Sequence, residues 1–350
     1  MFESKLISGS VYFNREVDVI SGLVSDYLKI GIVKNEREVA QRLKEHQTGN
    51  PRKIISVAEL QSPMVTVAEN FLHSWFSQLR VKGEWFQINQ HSVEQDVLRT
   101  AEKLIAEQQD SIEDFSRWSE LGKEGSNETI REPNEEERDL HEALLIAEHK
   151  LILEKAKQDI VAGKIYESTN FTSGIKDVLD RTVFKINEKF RKRDFKETYP
   201  DIFKNYLVMQ QSETKGTIKL HNKQTLSTID SHLHLKKQNS ATSSDISTNI
   251  SWELAERTEL IEVLHTQYLE NLKMVSEAEW LVERLRAKLA RMIGRDKGLN
   301  DVAIWVREKK TSEKFNEEAF KEDHPDLHAT FLQPARQSSR ITISTSRPYA

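Results

Sequence analysis

The first ninety residues switch between short apolar runs and helical spacing. Val11-Tyr12-Phe13 is β-prone, and Leu28-Lys29-Ile30-Gly31-Ile32-Val33 reads as a second short strand. Residues 36–46, EREVAQRLKEH, put Val39, Ala40 and Leu43 on one face and predict a helix. Thr48-Gly49-Asn50-Pro51 stops it. Ile54 to Leu60 predicts a strand. Residues 65–80 predict a helix with Val67, Phe71, Leu72, Trp75, Phe76 and Leu79 facing a core. RVKGEWF (80–86) then turns at Gly83 into a last strand from Glu84 to Ile88. The order β-β-α-β-α-β predicts one small α+β domain of three to four strands.

The rest of the chain reads as mostly helical. Residues 92–122 form a polar helix with an apolar stripe that includes Val97, Leu104, Phe115 and Trp118. Residues 122–134 have linker composition, and Asn134 with Glu137 is a helix-start pair. A helix follows to about 162, with Leu140, Leu144, Ala147 and Leu151 near heptad spacing. Residues 236–250 form a second linker. The longest helix, 252–293, keeps a 3–4 spacing of apolar residues that suits a coiled-coil seam and a homodimer. An internal repeat relates EKFRKRDFKETYPDIFKNYL (188–207) to EKFNEEAFKEDHPDLHATFL (313–332) at a fixed offset of 125, without a gap. The expected division is 1–90, a small α+β domain; 91–133, helix and linker; 134–235, first repeat; 236–251, flexible linker; and 252–350, long helix plus second repeat.

Composition narrows the class. The 350 residues predict two or three domains. They are 37% hydrophobic and 31% charged, with a mean hydropathy of −0.62, which suits a water-soluble, cytoplasmic protein. No run approaches the roughly 18 apolar residues of a membrane span, and the N-terminus lacks a signal layout. The chain has no cysteine, which excludes disulfides and thiolate zinc sites. A net charge of −5 argues against a purely electrostatic nucleic-acid coat, although local patches matter more than the sum. No Gly-rich phosphate loop or nucleophile elbow occurs.

The running order VYF, KIG, RLKEHQTGNP, AENFLH and RVKGEWF resembles the GIY-YIG nuclease superfamily in its phage-type branch, over about residues 10–90. The resemblance implies a metal-dependent endonuclease that cuts a DNA phosphodiester. It places Tyr12 as the tyrosine that positions or deprotonates the attacking water. Lys29 stands where type members carry a second tyrosine. Arg42 faces the phosphate, and Glu69 holds one Mg²⁺ or Mn²⁺. That set is chemically sensible. One carboxylate leaves most of a hard ion's shell open to water and phosphate, and arginine presents a permanent planar fork to phosphoryl oxygens.

Each residue also has a plain structural reading. A strand tyrosine is commonly a core residue. Arg42, among Arg37, Lys44 and Glu45, suits a solvated helix face or a structural partner for Glu69. Glu69 has apolar helix neighbours and needs a partner. His73, four residues on, shares its face; it is either a group supporting the metal ligand or a structural histidine, and His46 is a weaker candidate of the same kind. RVKGEWF itself reads as scaffold.

In the first repeat, Lys185, Lys189, Arg191, Lys192 and Arg193 are candidate DNA contacts, or simply solvated lysines and arginines. Lys297, Arg307, Lys309, Lys310 and Lys314 form a lesser set in the second. His232 and His234 are weak metal candidates. The second repeat is also similar to the accessory tail of YqaJ-type viral recombination nucleases, without their catalytic core. The expectation is therefore a phage- or mobile-element-encoded DNA endonuclease. The alternative is a catalytically inactive DNA-binding or protein-interaction module on a nuclease scaffold.

Overall fold

The computed structural model describes residues 5–35, 37–169, 174–214, 216–223 and 254–348. The second expected linker and the His232–His234 pair lie outside these residues.

The N-terminal sheet contains β1 (Gly9–Val17), β2 (Val24–Lys34), β3 (Lys53–Ser62), β4 (Arg80–Lys82) and β5 (Trp85–Gln87) in the order β3-β1-β2-β5-β4. It has one strand more than the sequence pattern suggested. RVKGEWF is a whole hairpin, with Gly83 at φ 57 making the turn. Two helices cover opposite faces. On β1, Val11 and Phe13 point one way and Tyr12 the other, as the two-residue period requires. Val11, Phe13, Leu28 and Ile30 pack under α2 (Val65–Trp75) through Val65, Ala68 and Leu72. Tyr12 and Val33 pack under α1 (Val39–Gln47) through Val39 and Leu43.

The helical region shares the core of the first face. Its helices α3 (His91–Leu121), α4 (Glu135–Glu167) and α7 (Glu259–Ile293) are long. Between α4 and α7 lie the short α5 (Lys192–Thr198) and α6 (Pro200–Asn205). After α7 come α8 (Glu317–Asp323) and α9 (Pro325–Thr330). One apolar cluster runs from Phe13 and Leu72 through Phe115 and Leu144 to Trp280, Ala290 and Trp305. Much of the apolar seam of α7 packs inside the chain, along α4, α3 and α2. Trp280 stacks on Phe115 at 5.7 Å and donates its indole N–H to Glu107 at 2.8 Å. Asn134 and Glu137 close the expected capping box at the start of α4.

Residues 122–134 are anchored, against their linker composition. β6 (Ile130–Arg131) runs parallel to β11 (Gly298–Leu299), which pairs with β12 (Ala303–Ile304). Arg307, expected in a basic surface patch, is only 1% exposed. It lies 4.0 Å over Trp305 and donates to the carbonyls of Leu121, Gly294 and Asp296. It thereby satisfies carbonyls at the ends of α3 and α7, which a helix leaves without internal partners.

The repeats form one pseudo-symmetric unit. Copy one contains β7 (Leu179–Ile186), β8 (Lys189–Phe190) and β9 (Leu207–Thr214), followed by β10 (Lys219–Leu220), which joins β12. Copy two contains β13 (Glu308–Phe315), β14 (Leu332–Gln333) and β15 (Arg336–Ile343). These strands pair only between copies: β7 with β15, β8 with β14 and β9 with β13. Phe190 faces Leu332 and Leu207 faces Phe315; Ile186 faces Arg336 and Gln211 faces Thr311. The 125-residue offset, 188 to 313, carries each of these pairs onto the other, so one register serves the whole unit. The aromatic core obeys the same operation. Phe190 stacks on His328 at 4.7 Å, and its equivalent Phe315 stacks on Phe203 at 4.7 Å. Phe195 and Phe320 meet near the pseudo-dyad at 4.5 Å.

Replacing Arg307 by methionine should destabilise the chain by about 3 kcal/mol, because buried carbonyls lose a charged donor. Urea unfolding measures this, with exposed Arg99→Met expected within about 0.5 kcal/mol of wild type.

Candidate active site

The α1-covered face of β1 and β2 assembles the site. Tyr12 sits directly opposite Gly31, and Asn14 opposite Lys29, so these four positions share one face. A Cβ on Gly31 would lie 2.4 Å from the Tyr12 hydroxyl oxygen, so the ring can lie there only because residue 31 is glycine. The last turn of α1 brings His46 over this face. Its Nε2 is 3.2 Å from the Tyr12 hydroxyl and 3.1 Å from Lys29 Nζ. Lys29 also pairs with Glu84 at 3.3 Å and lies 5.8 Å from the Trp85 ring centre.

These contacts order the protons. A lysine ammonium has only hydrogens to offer, so the His46 nitrogen facing it is an acceptor. Burial first, then Lys29 and Arg42, hold His46 below the usual imidazole value, which keeps that lone pair available at neutral pH. Burial first, then Glu84, raises Tyr12, while Arg42 pulls it down by hydrogen bonding and charge. The resting pair is thus a neutral phenol beside a neutral imidazole.

Arg42 lies on α1, half-exposed, and donates to Glu45 at 2.9 Å. It reaches Tyr12 and does not plug Glu69. Glu69 comes from α2, on the other side of the sheet. On β2, β5 pairs only with Tyr27 to Lys29, leaving the outer edge of β2 from Gly31 onward without a strand among the described residues. Of the charges that act on Glu69, Lys34 lies on that edge, and Glu84 and Arg80 lie on the β4–β5 hairpin beside it. Burial first, then Glu84, lifts its carboxyl to about 7, with Arg80 and Lys34 opposing. Glu69 is half-buried and makes no ion pair among the described residues.

His73 is placed differently. Its Nε2 donates to the Ile30 carbonyl at 2.9 Å, tying α2 to β2. The candidate DNA contacts Lys185, Lys189, Arg191, Lys192 and Arg193 lie in the pseudo-symmetric unit, all exposed. Three residues join the site without having been singled out in the sequence. Glu84 touches Lys29 and influences Tyr12, His46 and Glu69. Arg80 is half-buried, and burial lowers it while Glu69 and Glu84 raise it. Asn14 is 1% exposed, and neither amide atom has a protein partner. The signal for Glu84 lay in RVKGEWF: a tight turn at Gly83 fixes the next residue against the strand that bears Lys29.

No group of three or more His, Cys, Asp or Glu side chains able to hold a metal occurs among the described residues. The donor set instead fits a hard divalent ion that keeps most of its water. Glu69 is a half-buried carboxylate with no ion-pair partner and a second carboxylate, Glu84, acting on it.

Glu69 predicts a pH dependence of stability. The folded chain keeps this proton up to about 7, whereas an unfolded glutamate loses it near 4.5. Between those values the folded state binds the extra proton, so stability falls as pH rises. Metal-free protein should lose melting temperature from pH 5 to 8, and Glu69→Gln should lose less. Millimolar Mg²⁺ should restore the wild type at pH 8 and leave Glu69→Gln unmoved.

No curated protein and no solved structure matches the chain. Residues 11–104 match the T5orf172 domain. Tyr12, Asn14, Lys29, Arg42, His46, Glu69, Arg80 and Glu84 all fall inside that match, so the site lies within a segment similar to a phage-associated domain related to GIY-YIG and homing-endonuclease folds.

Proposed function

We propose that the chain is a phage- or mobile-element-associated DNA endonuclease that hydrolyses a phosphodiester with the help of Mg²⁺ or Mn²⁺. The observation that carries this reading is the contact chain Glu84–Lys29–His46–Tyr12, with Arg42 and Glu69 at its margin. A buried phenol needs an acceptor in any case; what favours chemistry is that this acceptor is an imidazole kept unprotonated by burial and by Lys29 and Arg42. Similarity to the T5orf172 domain supports the nuclease class, and the resemblance of the second repeat to YqaJ-type tails supports the setting.

The residues divide the work as follows. His46 Nε2 takes the Tyr12 hydroxyl proton. As that proton leaves, the Tyr12 oxygen takes one from the attacking water, whose oxygen forms the new P–O bond as the bond to the leaving oxygen breaks and the leaving oxygen takes a proton from solvent. Arg42 and Lys29 counter the charge that builds on the phosphoryl oxygens. Glu84 holds Lys29 in place. Glu69 would hold the divalent ion, which supplies further neutralisation of phosphoryl charge. Burial of Tyr12 limits competing water at the proton transfer.

A second reading keeps the scaffold and drops the chemistry: a DNA- or protein-binding module. It is favoured by the lysine at the position of the second tyrosine. Nicking of supercoiled plasmid separates the two. Wild type with Mg²⁺ should convert plasmid to the nicked form, EDTA should stop it, and Glu69→Ala and His46→Ala should each slow it by about 10²–10³. Equal activity in wild type and Glu69→Ala would sink the nuclease reading.

A further inference from the structure

The two halves of the pseudo-symmetric unit share a backbone but not a charge. Arg191, Lys192 and Arg193 in copy one correspond to Asn316, Glu317 and Glu318 in copy two. From 191 to 205, copy one has five cations against three carboxylates; from 316 to 330, copy two has one lysine against five carboxylates. Helices α5 and α8 have the same length, seven residues, and the same place after their strands.

Copy two carries the residues this backbone favours. The Asn316 side chain accepts from the Ala319 N–H at 3.2 Å, and Glu317 and Glu318 occupy the first turn, where negative charge is stabilising. Copy one gives this up. Arg191 makes no side-chain cap bond, and Lys192 and Arg193 place positive charge in the same first turn, beside Asp194. Three successive positions therefore depart from local folding preference, on a scaffold whose other half shows the better-suited residues. Departures of that kind mark surfaces kept for function.

The cations are also displayed. Lys189, Arg191, Lys192, Arg193 and Lys196 are exposed. Lys192 lies 5.3 Å from the Phe315 ring centre, Lys196 5.6 Å from Phe203, and the Arg191 guanidinium 5.7 Å from Phe331. The aromatic core thus steadies three of them. Arg191 pairs with Asp194 and Arg193 with Glu197, both at 3.1 Å and both exposed. Such surface pairs are weak and salt-screened, so Arg193 can turn to another anion, while Arg191, which also donates to the Thr330 carbonyl at 3.2 Å, is held on the surface and can share its remaining N–H groups.

We infer that this face of copy one is the docking surface for the phosphate backbone of duplex DNA, and that the acidic face of copy two keeps DNA to one side of the unit. The choice of DNA rests on the endonuclease reading; the polyanion surface rests on the charge reversal. Duplication built a symmetric core, and the charges gave it a direction.

The test is fluorescence anisotropy with a short labelled duplex in EDTA, over a series of salt concentrations. The variant R191N/K192E/R193E installs the copy-two residues. It should bind at least tenfold more weakly than wild type, with the slope of log affinity against log salt flatter by about 3. Its melting temperature should stay close to that of wild type, because the cap and first-turn charges gained offset the cation–π contacts and the Arg191–Thr330 bond lost. The variant E317Q/E318Q should not weaken binding. The inference is overturned if R191N/K192E/R193E binds like wild type, if wild type binds no duplex, or if wild type prefers phosphatidylserine vesicles to duplex. Because the assay contains no free divalent ion, a protein that binds through this face yet nicks no plasmid would retain this inference and refute the nuclease reading.

Discussion

The Tyr12 ring lies in the space that a side chain on Gly31 would fill, and the site depends on that one cross-strand contact. It fixes the register of β1 against β2. With that register, Tyr12, Asn14 and Lys29 all face α1. A slip of one residue would put Tyr12 and Lys29 on opposite faces of the sheet from one another. His46 could then meet only one of them. The glycine of KIG is thus a geometric requirement of the tyrosine opposite it.

The rest of the chain holds the second component of the site in place. Glu69 is on α2, and α2 is clamped to α7. Ser77 Oγ donates to the Leu269 carbonyl at 2.8 Å, and Lys273 sits 4.3 Å from the Trp75 ring centre. His73 ties the same helix to β2. Among the described residues, the short β5 leaves the outer edge of β2 open, so a carboxylate from one side of the sheet can act at a site built on the other. Arg307 locks the ends of α3 and α7 together. Among the described residues, no helix is long and apolar enough to cross a membrane.

The legible parts of the sequence were those set by near neighbours. The cores of β1 to β3, the helices α1 to α4, the Asn134 capping box and the repeat all follow from period, turn chemistry or local matching. The α+β class with a helical, duplicated C-terminal region follows from these. What stayed hidden depends on partners far away in the chain. His46 looked weak because its value comes from Tyr12, 34 residues away, and Lys29, 17 away. Glu84 looked like scaffold because its partner Lys29 is on another strand. Residues 122–134 looked like a linker because a polar segment that pairs with a distant strand has the composition of one. Arg307 looked like a surface cation because sequence does not show which carbonyls a guanidinium will meet. The repeat was visible, but not the cross-copy pairing that makes its halves one fold.

Diffraction from crystals grown with Mn²⁺ and a non-cleavable duplex analogue, recorded for the anomalous signal of manganese, tests the account most directly. The account predicts one manganese peak coordinated by Glu69, with a DNA phosphate beside Arg42 and the Tyr12 hydroxyl. A complex in which the duplex phosphate lies away from Tyr12 and Arg42, or in which Glu69 coordinates no metal, would contradict it.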